Sequence, residues 1–148
     1  MRFVLKKGTT TLDDAIKWFT RGAYSHASLL TPDDRIIEAV WPKVREQAFL
    51  ESYPEKCKYN EFEVKTTPYQ DALITEFARK QVGKPYDLIG DLRFVTRQNY
   101  QSQPDNKWFC SELVFQSFLA GGVTLFNKTE GWEVCPDLLK RSPLAKML

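Results

Sequence analysis

Tyr24-Ser25-His26-Ala27-Ser28-Leu29-Leu30-Thr31-Pro32-Asp33-Asp34-Arg35-Ile36-Ile37-Glu38-Ala39-Val40-Trp41 is the stretch on which the fold turns. Two extended, apolar runs flank a polar turn, Thr31 to Asp34, whose Pro and Asp residues favour chain reversal. That is the pattern of a β-hairpin, Ala23 to Leu30 and Arg35 to Trp41. Each arm carries one ionisable residue among apolar ones, His26 in the first and Glu38 in the second. With the hairpin centred on 31–34, residues whose numbers sum to about 64 or 65 face each other, so His26 and Glu38 are expected opposite one another on a shared face.

Outward from the hairpin, Met1 to Gly8 reads as a first strand, and Val44 to Leu50 and Tyr59 to Lys65 as two more. In the last of these Phe62 and Val64 alternate with charged residues, the mark of one buried face. Leu12, Ala15, Ile16 and Phe19 form an apolar stripe, predicting a helix over about 12–21, capped by Thr10 or Thr11 and stopped at Gly22. Thr67-Pro68 opens a second helix with Tyr69, Ala72, Leu73, Phe77 and Val82 as its expected core stripe, ending before Gly83. A helix over about Leu88 to Arg97, a polar loop from Gln98 to Lys107, a helix from Phe109 or Cys110 to Gly121-Gly122, and a short helix at Cys135-Pro136 complete the chain. Strands early and helices late give an α+β domain, expected to be single over 1–148.

The 148 residues are 43% hydrophobic and 27% charged, an ordinary globular composition with enough chain for a core free of staples. The formal net charge is +2, from 21 basic and 19 acidic residues, and no Lys/Arg block marks a nucleic-acid surface. No apolar run reaches the roughly 18 residues of a membrane span, and the N-terminal residues do not read as a signal peptide. A cytoplasmic protein is the expectation, with delivery to a cell wall by lysis or by a viral particle left open. Cys57, Cys110 and Cys135 are odd in number and widely spaced, which suits reduced thiols.

Cys110 lies in Lys107-Trp108-Phe109-Cys110-Ser111-Glu112-Leu113-Val114, where a polar loop gives way to an apolar-periodic helix. A thiol in the first turn of a helix feels the positive end of the macrodipole, which favours the nucleophilic thiolate. The exposed N–H groups there can also stabilise an oxyanion. A buried structural cysteine is the competing reading. His26, the one histidine of the chain, is the only imidazole available as a base, and Glu38 suits the third role of orienting it. A core histidine and a surface acid are the alternatives for these two.

Taken together, Tyr24-Ser25-His26-Ala27-Ser28-Leu29, Ile36-Ile37-Glu38-Ala39, Gly83-Lys84-Pro85-Tyr86-Asp87 and Phe109-Cys110-Ser111-Glu112-Leu113-Val114 resemble the circularly permuted NlpC-type papain-like cysteine peptidases and amidases, the YiiX-like group. The resemblance spans about residues 12 to 120. It implies a papain-like fold with Cys110 as nucleophile, His26 as base, Glu38 as third member and Tyr86 as an aid to the oxyanion. Some two dozen residues separate Tyr86 from Cys110, more than the unpermuted pattern has. The implied reaction is cleavage of an amide through a thioester, with no metal and no organic cofactor. Small peptides, amides or lipid amides are the implied substrates. A lipid acyl hydrolase or acyltransferase of the same fold, and a binding module without catalysis, are the rival readings. Asp87 and Glu112 read as turn and helix caps, Trp18, Trp41 and Trp108 as core or groove aromatics, and Cys57 and Cys135 as inert. A zinc site of three Cys and His26 lacks the spacing such sites show.

Overall fold

Alternation along the strands produces a sheet with both faces covered at its centre. The computed structural model describes residues 1–8, 22–87, 107–127, 129 and 131–148. Six strands, β1 (Arg2–Lys6), β2 (His26–Leu30), β3 (Arg35–Val40), β4 (Lys43–Ala48), β5 (Tyr59–Val64) and β6 (Ala145–Met147), lie in the order β4-β3-β2-β1-β5-β6. Every neighbouring pair is antiparallel. The architecture is therefore α+β. The expected helices over 12–21 and 88–97 lie outside the described residues.

Phe3, Leu5, Ala27, Leu29, Ile37, Ala39, Phe62 and Val64 share one face and enter the main core with the helices. Val4, Leu30 and Ile36 point the other way, into a second cluster closed by Tyr53 with Phe49, Cys57 and Tyr59. A short helix α1 (Phe49–Ser52), unforeseen in the sequence, delivers that cover. Burial on both faces explains the uninterrupted Phe3-Val4-Leu5 and Ile36-Ile37 runs, since no residue in them can be polar without a buried partner.

Helix α2 (Pro68–Lys80) starts as expected. Thr67 Oγ1 accepts from the Gln70 N–H at 3.2 Å while Gln70 Oε1 accepts from the Thr67 N–H at 3.0 Å. Its expected core stripe is corrected, however. Ile74, Thr75 and Ala78 are the buried residues, Tyr69 is 73% exposed and Val82 42%, and Ala72 is also exposed. The cause is the close crossing with α3 (Cys110–Ala120). A Cβ on Gly121, at the C-cap of α3, would come within 2.3 Å of Ile74 Cγ1, so the small residue opens the seat that Ile74 fills. Steric fit at the crossing, which apolar periodicity does not encode, sets the rotation of the helix.

Helix α3 is buried along most of its circumference through Cys110, Ser111, Leu113, Val114, Phe115, Ser117 and Phe118, as a central helix must be. It packs on β2 and β3 and ends where Gly122 takes φ +72°, a conformation glycine adopts without steric cost. A 3-10 turn (Gly131–Glu133) and α4 (Pro136–Leu139), with Cys135 at its N-cap, lead to β6. The 3-10 turn and β6 are further elements absent from the sequence expectation. Among the described residues no helix is long and apolar enough to cross a membrane.

If fit at the α2–α3 crossing governs this face, Ile74→Ala will cost about 2–5 kcal/mol. Tyr69→Ala, on the stripe expected from sequence, will stay within about 0.5 kcal/mol of the parent. Urea denaturation of the two variants reads both values, and equal losses would restore the original stripe.

Candidate functional site

Strand β2 is fixed just before His26 through Tyr24 and Ser25. The Tyr24 N–H donates to Asp137 Oδ2 at 2.9 Å, and the Gly8 N–H donates to Ser25 Oγ at 3.0 Å. The Tyr24 hydroxyl donates to Asn60 Oδ1 at 2.9 Å, and its ring lies beneath Lys140 Nζ (5.1 Å from the centroid) and Lys7 Nζ (5.5 Å). Gly22 is where Asp137 needs room, since a Cβ there would fall 1.8 Å from its Oδ2. Further along, Ser28 Oγ and the Tyr53 hydroxyl share a hydrogen bond of 2.6 Å beneath the second cluster. These contacts hold the start of β2 in register with β1, where Lys6 pairs with His26.

The hairpin register differs from the expected one. Leu29 faces Ile37 and Leu30 faces Ile36. Asp34 adopts φ 55°, and the Thr31 N–H donates to the Arg35 carbonyl at 2.9 Å. The connection is therefore a three-residue loop closed by Thr31 and Arg35, a form that ends in a left-handed residue. The later register makes His26 and Glu38 diagonal neighbours, not direct opposites. Their parity still places both on one face, and diagonal side chains of this length remain within reach.

His26 Nε2 and Glu38 Oε2 are 2.7 Å apart. Glu38 Oε1 accepts from Arg45 Nε at 3.0 Å, Arg45 Nη2 at 2.8 Å and Ser52 Oγ at 3.2 Å, and Ser52 Oγ accepts in turn from Gln47 Nε2 at 2.7 Å. The Glu38 side chain is 5% exposed and that of His26 16%. Burial by itself would push the Glu38 carboxyl up, but the hydrogen bond and charge of His26, followed by those of Arg45, hold it down at about 2. Burial would likewise lower the imidazole. Its hydrogen bonds to Cys110 and Glu38, with their charges, outweigh that and raise it to about 10.

Cys110 is thus brought to His26 from the far end of the chain. It is the first residue of α3, 5% exposed, behind an N-cap, Phe109, whose side chain makes no capping hydrogen bond. With Nε2 engaged by Glu38, Nδ1 is the ring nitrogen left for the thiol. Ser111 anchors the helix start by donating to the Val134 carbonyl. The paired part of the β2–β3 ladder ends before His26, and the thiol–imidazole contact is made at that unpaired end.

Tyr86 is near Cys110 despite the residues between them in sequence. Its N–H donates to the Pro42 carbonyl at 3.0 Å, and it bridges in parallel to Trp108, two residues before Cys110. The ring packs, partly buried, against the main core. The rest of the Gly83-Lys84-Pro85 segment lies along the edge of β4, with the Val44 N–H donating to the Lys84 carbonyl at 2.9 Å. Trp108 is half-buried edge-on to Phe77, Trp41 is 70% exposed, and Trp18 lies outside the described residues. All three cysteines are free. Cys57 lies beneath the Tyr53 cluster, and burial pushes the Cys135 thiol up.

Arg45, Ser52 and Gln47 were not singled out in the sequence. Parity across the short Trp41-Pro42 turn pairs Glu38 with Arg45, so that signal was present once Val44 to Leu50 was read as the next strand of the meander. Ser52 carried none, because α1 had no sequence signature.

No protein-family model and no curated protein matches the sequence. Among solved structures, the chain is similar to the crystal structure of metalloprotein YiiX from Escherichia coli O157:H7 (DUF1105), with a TM-score of 0.75 and 19% identity over 99% of this chain and 94% of that one. The likeness is one of fold, and it makes this chain a YiiX-like α+β fold.

With one histidine in the chain, its imidazole protons can be followed by NMR without assignment. Glu38→Gln, which removes the charge and keeps the shape, will bring the His26 pKa well below about 10. The stability linked to this pair also has a definite sign. The contribution of Glu38 is full above its ordinary 4.5 and is lost as pH falls through about 2. That of His26 is full below 6.5 and is lost as pH rises through about 10. Urea midpoints of the parent will therefore exceed those of Glu38→Gln most between pH 4.5 and 6.5. A constant difference at all pH values would detach the pair from stability.

Proposed function

We propose that the chain is a cysteine hydrolase of the permuted NlpC-type papain-like kind, one catalytic domain over 1–148, acting on an amide. The observation that carries the reading is His26 held between Glu38 on one side and Cys110 on the other, with Cys110 at a helix N-terminus. A base oriented by a carboxylate and bonded to a nucleophile is the arrangement nucleophilic catalysis requires.

In the proposed cycle His26 takes the proton of Cys110, and Glu38 balances the positive charge. The thiolate attacks the amide carbonyl, and backbone N–H groups at the start of α3 face the oxyanion, with the Tyr86 hydroxyl as a supplementary donor. His26 gives its proton to the leaving nitrogen as the C–N bond breaks, which leaves a thioester on Cys110. A water then loses a proton to His26 and attacks the thioester. The carboxylic acid departs and the Cys110–His26 pair is restored. Arg45 and Ser52 keep Glu38 ionised and turned toward the imidazole throughout.

YiiX is described as a metalloprotein. Among the described residues of this chain no three His, Cys, Asp or Glu side chains converge as metal ligands. Both oxygens of Glu38 are already bonded to His26, Arg45 and Ser52. These residues do not fit a metal ion, and no step runs through one.

Iodoacetamide labelling of the native protein between about pH 5 and 9, mapped by mass spectrometry, tests the reading. Cys110 will label ahead of Cys57 and Cys135, the thiolate being the form that reacts. His26→Ala will remove that advantage. Equal, slow labelling of all three thiols that His26→Ala leaves unchanged would sink the proposal.

A further inference from the structure

The charges on the sheet are distributed unequally between its two ends. At the end distant from His26 they meet in ion pairs: Arg2 with Asp34 (3.0 Å) and Glu61 (3.3 Å), Arg35 with Glu46 (3.1 Å), and Arg79 with Asp33 (2.7 Å) and Glu46 (2.9 Å). At the His26 end the basic residues are Lys6 and Lys7 closing β1, Lys43 opening β4, and Lys58 just before β5. Lys7 sits over the Tyr24 ring. Lys6, Lys43 and Lys58 have no ion-pair partner among the described residues.

Register gives two of these lysines a particular place. Lys6 is the direct cross-strand partner of His26, and such side chains start about 5 Å apart. Lys43 faces Val40 and alternates with Arg45, so it stands on the face that carries Glu38 and His26. Of the carboxylates near this end, Glu55, in the turn before Lys58, is exposed and has no ion-pair partner among the described residues, and the others are engaged. Glu38 is bonded to His26, Arg45 and Ser52, and Asp137 to Lys140 and the Tyr24 N–H, while Asp87 and Glu112 have partners of their own. The adjoining sequence segments 9–21 and 88–106 hold two acidic and two basic residues each, so their composition adds no net charge. Uncompensated like charge at the mouth of a site concentrates ligands of opposite sign.

We propose that the substrate acted on at Cys110 carries an anionic group, a carboxylate or a phosphate, close to the reacting carbonyl, and that Lys6 and Lys43 receive it. The proposal rests on the cysteine-hydrolase reading and narrows its substrate class. Protonated His26 contributes to the same field, but its charge is balanced by Glu38, whereas the two lysines are not balanced.

Iodoacetate and iodoacetamide deliver the same alkylation with and without a negative charge. The ratio of their rates at Cys110, normalised to glutathione, will exceed one in the native protein and will fall with added salt. Lys6→Gln/Lys43→Gln will lower the ratio about two- to fivefold, the iodoacetamide rate of the same variant serving as the reference for any general change at the thiol. An unchanged ratio in that variant would overturn the proposal and leave the hydrolase reading standing. Loss of selective Cys110 labelling with both reagents in the native protein would instead overturn the hydrolase reading. Protection of Cys110 from iodoacetamide by succinate or by inorganic phosphate, at matched ionic strength, distinguishes carboxylate from phosphate. Protection by neither counts against the proposal.

Discussion

The buried carboxylate of Glu38 is the constraint around which this end of the molecule is organised. A charge taken out of water costs several kcal/mol unless paired and fully hydrogen-bonded. Glu38 meets that demand with donors from three separate elements: His26 of β2, Arg45 of β4 and Ser52 of α1. None of them can move by one residue without taking a donor away from the buried charge. Slipping β2 by one position would send His26 to the opposite face of the sheet, and slipping β4 would remove Arg45 in the same way. The polar cluster thus specifies the register of the β2-β3-β4 meander more tightly than its apolar residues do alone.

The same cluster sets the protonation state of His26. An imidazole buried without an ionised partner would be neutral at physiological pH. Here Glu38 and Cys110 both favour the charged ring, against the burial that opposes it. Arg45 is about half exposed, at 47%, yet it acts on a carboxylate that is almost wholly buried, so its influence is screened less than that of an ordinary surface pair. Tyr53 closes the face behind Glu38 and bonds Ser28, two residues after His26 on the same strand. The short helix α1 therefore serves both as cover for the second apolar cluster and as a source of one donor to the carboxylate.

The segment Gly83 to Asp87 shows how distant parts of the chain are joined. It lies along β4 through Val44 and Pro42 and passes that alignment on to Trp108 through Pro85, Tyr86 and Asp87. Cys110 follows two residues later, so the edge of the strand that carries Arg45 also guides the entry of α3. Backbone hydrogen bonds, which ignore side-chain identity, make this link.

The chain by itself was legible wherever the signal is local. The hairpin on either side of Thr31–Asp34, the cap formed by Thr67 and Gln70 with Pro68 behind it, the glycine stop of α3 and the start of that helix at Cys110 all follow from neighbouring residues. His26, Glu38 and Cys110 stood out in the sequence as candidates, and the fold brings the three together. What tertiary structure alone decided was relative placement. Asp34 took a left-handed conformation and moved the hairpin register, Gly121 admitted Ile74 and turned α2 about its axis, and β6 formed only because the edge of β5 was there to pair with it. Arg45 and Ser52 became partners of Glu38 because a buried charge recruits whatever donors the packed elements bring within reach. Local preferences act over a few residues, whereas steric fit and buried-charge compensation act between residues that the sequence holds far apart.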